Sequence, residues 1–229
     1  MKTWKIVSLI MTLFLSSNLN AALVSRDLDG NRSTVEAYYD DDTDLTWLAD
    51  ANFSMTSGYD SDGLMTWNES QEWVFQNLNV TQYGGGNNWR LPTTPNSDHD
   101  CFDWTTAASC YQGEMAQLYY NAMGNTVFTQ TVVEPFTNIQ LSRYWSSDIY
   151  SLLPGKPGIG GSSPSTAYIQ AFDLNSGHIR TTHESEQHYA WAVHDGDIGM
   201  SVVPVPAAVL LFGSGLIGLA GFARRKKLN

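Results

Sequence analysis

The sequence predicts a single α+β domain, two helices packed on antiparallel sheets, and three observations carry that prediction. Two stretches repeat their apolar residues at helical spacing, and several shorter runs alternate or crowd apolar residues between turn signals, as strands do. The chain is 42% hydrophobic and 12% aromatic with eight tryptophans, a composition far from disorder and sufficient for a real core. Both ends of the 229 residues read as sorting segments, which leaves one domain over residues 23–200.

In chain order, residues 35–39 and 45–48 read as strands around the acidic turn Asp40-Asp41-Asp42-Thr43-Asp44. Thr66-Trp67-Asn68-Glu69 is a capping box, and Trp67, Val74 and Leu78 share one face of a helix expected over 67–78. Next comes Gly84-Gly85-Gly86-Asn87-Asn88-Trp89-Arg90-Leu91-Pro92-Thr93. Glycines allow positive φ, Trp89 and Leu91 are large apolar groups two residues apart, and Pro92 forbids helix at Leu91. The stretch is therefore expected to be a buried strand end with a sharp exit. Arg90 would pair there with a carboxylate or backbone carbonyls, the alternative being a ligand contact.

A second helix is expected from Glu114, whose charge suits a helix start, with Met115, Leu118, Tyr119 and Ala122 on one face and Gly124 as a stop. Beyond it, strands are expected at 143–147 around Trp145, at 167–174, at 177–182 and at 188–193 around Trp191. Residues 152–165, rich in glycine, proline and serine, read as a loop.

Residues 1–22 read as a secretory signal peptide: Lys2 and Lys5, an apolar run at 6–15, then small residues with alanines at the expected cut. Export makes a disulfide between Cys101 and Cys110 credible. At the other end, Val203-Pro204-Val205-Pro206-Ala207 opens an uncharged run to residue 223, followed by Arg224, Arg225, Lys226 and Lys227. At about 1.5 Å per residue that run reaches about 25 Å, enough for a bilayer core, with the basic cluster as its cytoplasmic stop. The fingerprint formed by Gly213, Gly215 and Gly218 lies inside this run without a βαβ context and is discarded.

All 23 acidic residues fall between Asp27 and Asp197, and the domain over residues 23–200 holds six basic ones, so it carries −17. Nucleic acid is excluded as a partner, and sulfated polymers are repelled unless a cation intervenes. No serine-hydrolase elbow, zinc-protease helix or phosphate loop occurs. Alternate aspartates could wrap calcium at Asp27-x-Asp29-Gly30, at Asp40, Asp42 and Asp44, and at Asp60 and Asp62 before Gly63; the competing reading is solvated turns. His178, His183, His188 and His194 fall near Glu184 and Glu186, where exposed hairpin polarity accounts for them more simply than metal binding. Trp104, Tyr111 and Tyr150 are candidate ligand-stacking residues on the insertion and late loops.

Leu45-Thr46-Trp47-Leu48, Trp89-Arg90-Leu91-Pro92-Thr93, Gly113-Glu114-Met115, Tyr144-Trp145-Ser146-Ser147 and Tyr189-Ala190-Trp191-Ala192-Val193 occur in order and with compatible spacing. Over residues 40–197 the chain thus resembles the DUF1566 family, also called the Lcl C-terminal domain after a collagen-like bacterial adhesin. That resemblance implies an adhesin-like domain and, by fold analogy, a C-type-lectin-like or formylglycine-generating-enzyme-like architecture. It brings no catalytic residues. The insertion between Thr93 and Gly113 departs from many members, although related members with a similar tail carry a cysteine-closed insertion here. The tail resembles the PEP-CTERM class in its Val-Pro-x-Pro-Ala form. This implies an inner-membrane precursor, an exosortase-type processing enzyme as partner, and delivery to the cell surface or extracellular matrix; a permanent anchor is the alternative. The expected function is a surface module binding carbohydrate or a surface partner, with an enzyme acting on extracellular polysaccharide or a purely structural surface protein as alternatives.

Overall fold

The computed structural model describes residues 23–94, 113–128, 134–150 and 168–201. Within them lie the strands β1 (Leu23–Asp27), β2 (Ala37–Asp40), β3 (Leu45–Leu48), β4 (Trp89–Arg90), β5 (Arg143–Tyr150), β6 (Tyr168–Asp173), β7 (His178–His183), β8 (Val193–Asp195) and β9 (Met200–Ser201). Six of them form one sheet in the order β4-β8-β3-β2-β1-β9, and β5-β6-β7 form a second. Every pairing in both sheets is antiparallel. With three short helices, α1 (Phe53–Thr56), α2 (Trp67–Trp73) and α3 (Glu114–Gln117), the architecture is the α+β one that the patterns predict.

The strand β3 sits between β2 and β8, and all four of its residues are buried. A central strand covered on both faces reads as a solid apolar run rather than an alternation. At the sheet's other end, β1 and β9 are not among the predicted strands. Two residues are too few for a periodic signal in β9, and β1 begins directly after the expected signal cut.

The helix at Thr66 starts as its capping box requires. The Glu69 N–H donates to Thr66 Oγ1 at 3.4 Å, and the Thr66 N–H donates to Glu69 Oε2 at 2.8 Å. Its end differs from expectation, because α2 runs on as a π-helical segment over Val74–Asn79. A π turn holds more residues than an α turn, so Trp73 and Leu78, five apart, both reach the core. The second helix behaves alike, α3 passing into a π segment over Leu118–Ala122. Gly124 then takes φ 68°, a conformation that costs glycine little, and the Asn125 N–H donates to the Tyr119 carbonyl at 3.1 Å.

The predicted strand at 188–193 needs correction. His188 bridges Met65, Tyr189 bridges Tyr144 of the smaller sheet, and only Val193–Asp195 enters a ladder of the larger sheet. The segment is an extended crossing between the sheets, with Ala190, Trp191, Ala192 and Val193 all inaccessible to solvent. Its alternation of aromatics and alanines reflects two crowded sides. Trp191 stands at the middle of the one core that joins both sheets and the helices. It packs edge-on to Trp47 at 5.5 Å and Phe136 at 4.8 Å between centroids, and its Nε1 donates to the Leu48 carbonyl at 2.8 Å. Trp145 Nε1 likewise donates to Met65 O at 2.7 Å, so these buried indoles tie down backbone carbonyls as well as filling volume.

Candidate functional site

Trp89 and Arg90 are placed from two sides. Asn79, at the end of the π segment, accepts from the Trp89 N–H and donates its amide to the Trp89 carbonyl, both at 2.8 Å, so a side chain replaces the missing strand on that edge. On the other edge Trp89 and Arg90 pair with His194 and Val193. Trp89 and Leu91 point into the core, and the intervening Arg90 is directed outward and half-buried.

Two carboxylates converge on its guanidinium. Arg90 Nη1 and Nη2 donate to the two oxygens of Glu114, each at 2.7 Å; Nε and Nη2 donate to Asp195 at 3.1 and 2.5 Å, and Nη1 also reaches the Leu91 carbonyl at 3.2 Å. Burial by itself would lower the Arg90 pKa, but the two carboxylates more than reverse this and raise it. Glu114 does one thing more: its Oε2 accepts the Thr93 N–H at 2.7 Å, while its own N–H donates to the Thr93 carbonyl at 3.0 Å. Thus the first residue of α3 closes the turn around Pro92. Gly86 completes the joint from behind, since a Cβ there would lie 2.6 Å from Nε2 of His194. The chain can pass that close to a ring only as glycine.

The segments gathered here and in the core, from β2 through the crossing into β8, are matched as one continuous unit by the family model of the Lcl C-terminal domain, over residues 36–194. The chain belongs to the Lcl C-terminal domain family. Directly after this Lcl domain, residues 202–227 match the PEP-CTERM protein-sorting motif, which implies export through a membrane-anchored precursor and exosortase processing. No curated protein and no solved structure matches the chain. Among the described residues no helix is long and apolar enough to cross a membrane. The expected signal peptide, the 207–223 run, the sorting residues Val203, Pro204, Pro206, Ala207, Arg224 and Arg225, both cysteines, Trp104 and Tyr111 lie outside the described residues. Tyr150 ends β5, paired with Tyr168.

The acidic turns of the Lcl domain spend their oxygens locally. Asp40 is buried and its Oδ1 accepts the Asp42 N–H at 3.1 Å, while Asp44, at φ 55°, accepts the Tyr39 hydroxyl at 2.9 Å. Asp60 Oδ1 accepts the N–H groups of Asp62 and Gly63 at 3.0 and 2.7 Å, and Asp62 Oδ1 takes that of Leu64 at 3.0 Å. Burial would raise the Asp60 pKa, but these bonds outweigh it and hold it below the usual carboxylate value. Among the described residues, none of these five aspartates belongs to a group of three converging carboxylates. Among the described residues such a group is formed by Asp27, Asp29 and Glu36, of which the glutamate lies outside the expected ligands.

The histidines also divide differently from expectation. His188 and His194 are buried, not exposed hairpin polarity. His188 Nε2 sits 3.0 Å from Thr182 Oγ1, and the ring lies 4.6 Å from that of Trp145. The ring of His194 lies 5.4 Å from that of Trp89. Burial lowers the pKa of both below the ordinary 6.5. The unfolded chain therefore takes up protons at a higher pH than the folded one. Their contribution to stability is complete above about pH 6.5 and is lost as pH falls through that value toward the folded pKa. Proton NMR of the two rings should give titration midpoints below 6.5; midpoints at or above it would contradict the burial argument.

Proposed function

We propose that the domain is a non-catalytic surface module that binds carbohydrate or another surface partner through the connections at 95–112 and 151–167. The observation that carries this reading is that the described ends of these two connections meet. The first is closed at its base by the paired backbone of Thr93 and Glu114, the second by the pairing of Tyr150 with Tyr168. Thr94 ties the two bases together: its N–H donates to Asp148 of β5 at 2.5 Å, and its hydroxyl donates to Gln170 of β6. Connections rooted on rigid strands are where binding residues concentrate, and Trp104, Tyr111 and Tyr150 supply faces on which a sugar can stack.

Sorting supports the same reading, because residues 195–201 alone separate the family match from the sorting match, so this domain is the cargo that the tail delivers. The charge of −17 favours neutral glycans over sulfated or uronic ones. In a glycan array, the protein is expected to hold neutral glycans equally well with chelator and with 0.5 M salt. Trp104→Ala and Tyr111→Ala should each weaken that binding by roughly 3- to 10-fold, as for a lost stacking contact of about 0.5–1.5 kcal/mol. Polyanion binding that persists in chelator and weakens steeply with salt would overturn the charge argument. Cleavage of the bound glycan would establish the enzyme reading instead.

A further inference from the structure

We propose that Asp27, Asp29 and Glu36 form a calcium site that fastens the turn after β1 to the start of β2. A carboxylate oxygen from each of the three lies within 4.8 Å of the other two. Acidic residues gather on many surfaces without a cation, so convergence alone decides nothing. The deciding feature is Asp27, which is 1% exposed. Its Oδ1 accepts the N–H groups of Asp29 and Gly30 at 3.1 and 2.6 Å, whereas its Oδ2 is buried with no hydrogen-bond donor among the described residues. A buried carboxylate oxygen with no donor is costly, and two further carboxylates beside it make the site worse unless something positive lies between them.

No basic side chain among the described residues supplies that charge. Arg26, the nearest in sequence, is turned to Asp197, with Nε and Nη2 donating at 2.5 and 2.8 Å. The other two carboxylates keep oxygens available: Asp29 Oδ1 accepts the Asn31 N–H at 2.7 Å and Glu36 Oε2 the Leu28 N–H at 3.2 Å, so each retains a second oxygen. The phenol of Tyr83 sits in the same negative field; burial first, then the charges of Glu36 and Asp29, push it up to about 12.

The donor set selects the ion. Three carboxylates with no imidazole or thiolate suit a hard cation rather than zinc or copper. Calcium accepts several carboxylates in flexible geometry, whereas magnesium usually keeps its waters and takes one or two. Asp60-Ser61-Asp62-Gly63 repeats the turn of Asp27-Leu28-Asp29-Gly30 bond for bond. Among the described residues, that second turn lacks the buried orphan oxygen and the third carboxylate. The sequence pattern is shared, and the site is not.

The test uses the full-length chain in detergent, stripped with EDTA and titrated with calcium chloride. Calorimetry should show this saturable site, and calcium at 100 times its Kd should raise the unfolding midpoint by roughly 5 to 10 °C. Asp29→Asn and Glu36→Gln, which leave the buried Asp27 in place, should each weaken the affinity at least tenfold, whereas Asp60→Asn with Asp62→Asn should leave it unchanged. The proposal is overturned if the wild-type chain shows no calcium-dependent shift up to about 10 mM, beyond the range of weak extracellular sites. It is equally overturned if the shift survives in both single variants or disappears in the Asp60 and Asp62 control. Because stability and affinity for the metal are read without any glycan, failure of the ligand reading leaves this test intact.

Discussion

Glu114→Ala is expected to lower the unfolding midpoint by roughly 5 to 10 °C. Removing one partner of a fully buried ion pair costs about 3–5 kcal/mol, because the other charge stays behind. Here the Arg90 and Glu114 side chains keep 28% and 19% of their exposure, so water offsets part of that, leaving about 2–3 kcal/mol. For a domain of this size each kcal/mol moves the midpoint by about 2–4 °C. Alanine also strands the Thr93 N–H, which Glu114 accepts at 2.7 Å. Glu114→Gln keeps that acceptor while removing the charge, and should fall between alanine and wild type. Combining Arg90→Met with Glu114→Ala should cost less than the sum of the two singles, as coupled neighbours do. Circular dichroism melts decide the matter. A change within 2 °C for Glu114→Ala would mean that Asp195 alone suffices to hold the guanidinium.

Trp191→Ala should be more damaging still, at about 3–5 kcal/mol, the usual cost of deleting a buried large aromatic. The ring is fully buried between Trp47, Phe136 and Tyr144, elements of both sheets and the connection between them, so no single segment can move in to fill the void. Against a typical total of about 5–15 kcal/mol, the loss would remove a third or more of the stability of all but the most stable domains. Trp191→Phe separates the contributions: it retains most of the volume but leaves the Leu48 carbonyl without its donor, for about 1–3 kcal/mol. Urea unfolding with an unchanged slope is the expected readout for both. A loss under 1 kcal/mol for alanine would show that the surrounding core collapses onto the gap.

What the sequence made legible was local. The strand at Leu45–Leu48 follows from four consecutive buried positions, the helix at Thr66 from a capping box read within four residues, and the stop at Gly124 from one residue's freedom. Arg90 could be expected to find a carboxylate or a carbonyl, and it finds both. That Asp195 would be one of the partners was beyond reach, because 105 residues separate the two and only the pairing of β4 with β8 brings them together. The crossing at 188–193 looks like a strand for a related reason: a segment walled in on both sides shows the same apolar spacing as a strand with one crowded face. The acidic clusters show the limit most clearly. Two turns with the same Asp-x-Asp-Gly pattern differ in whether a glutamate from β2's approach folds back onto them, which no local pattern encodes.

The pairing of β9 with β1 has a mechanical consequence. Arg26 opposes Ser201 and Asp27 opposes Met200, and the antiparallel direction turns Ser201 toward the Leu23 end of β1. Tension on the membrane-anchored precursor, applied through the sorting tail, would enter the domain at this two-residue edge and peel it before loading the inner strands. The peeling front would next meet Asp197, gripped by Arg26 through two hydrogen bonds, and Gly196, whose N–H donates to the Asp44 carbonyl just before β3 and whose carbonyl accepts the Thr46 hydroxyl of β3. The outermost edge would thus serve as a mechanical fuse, yielding under load while the body of the domain stays folded.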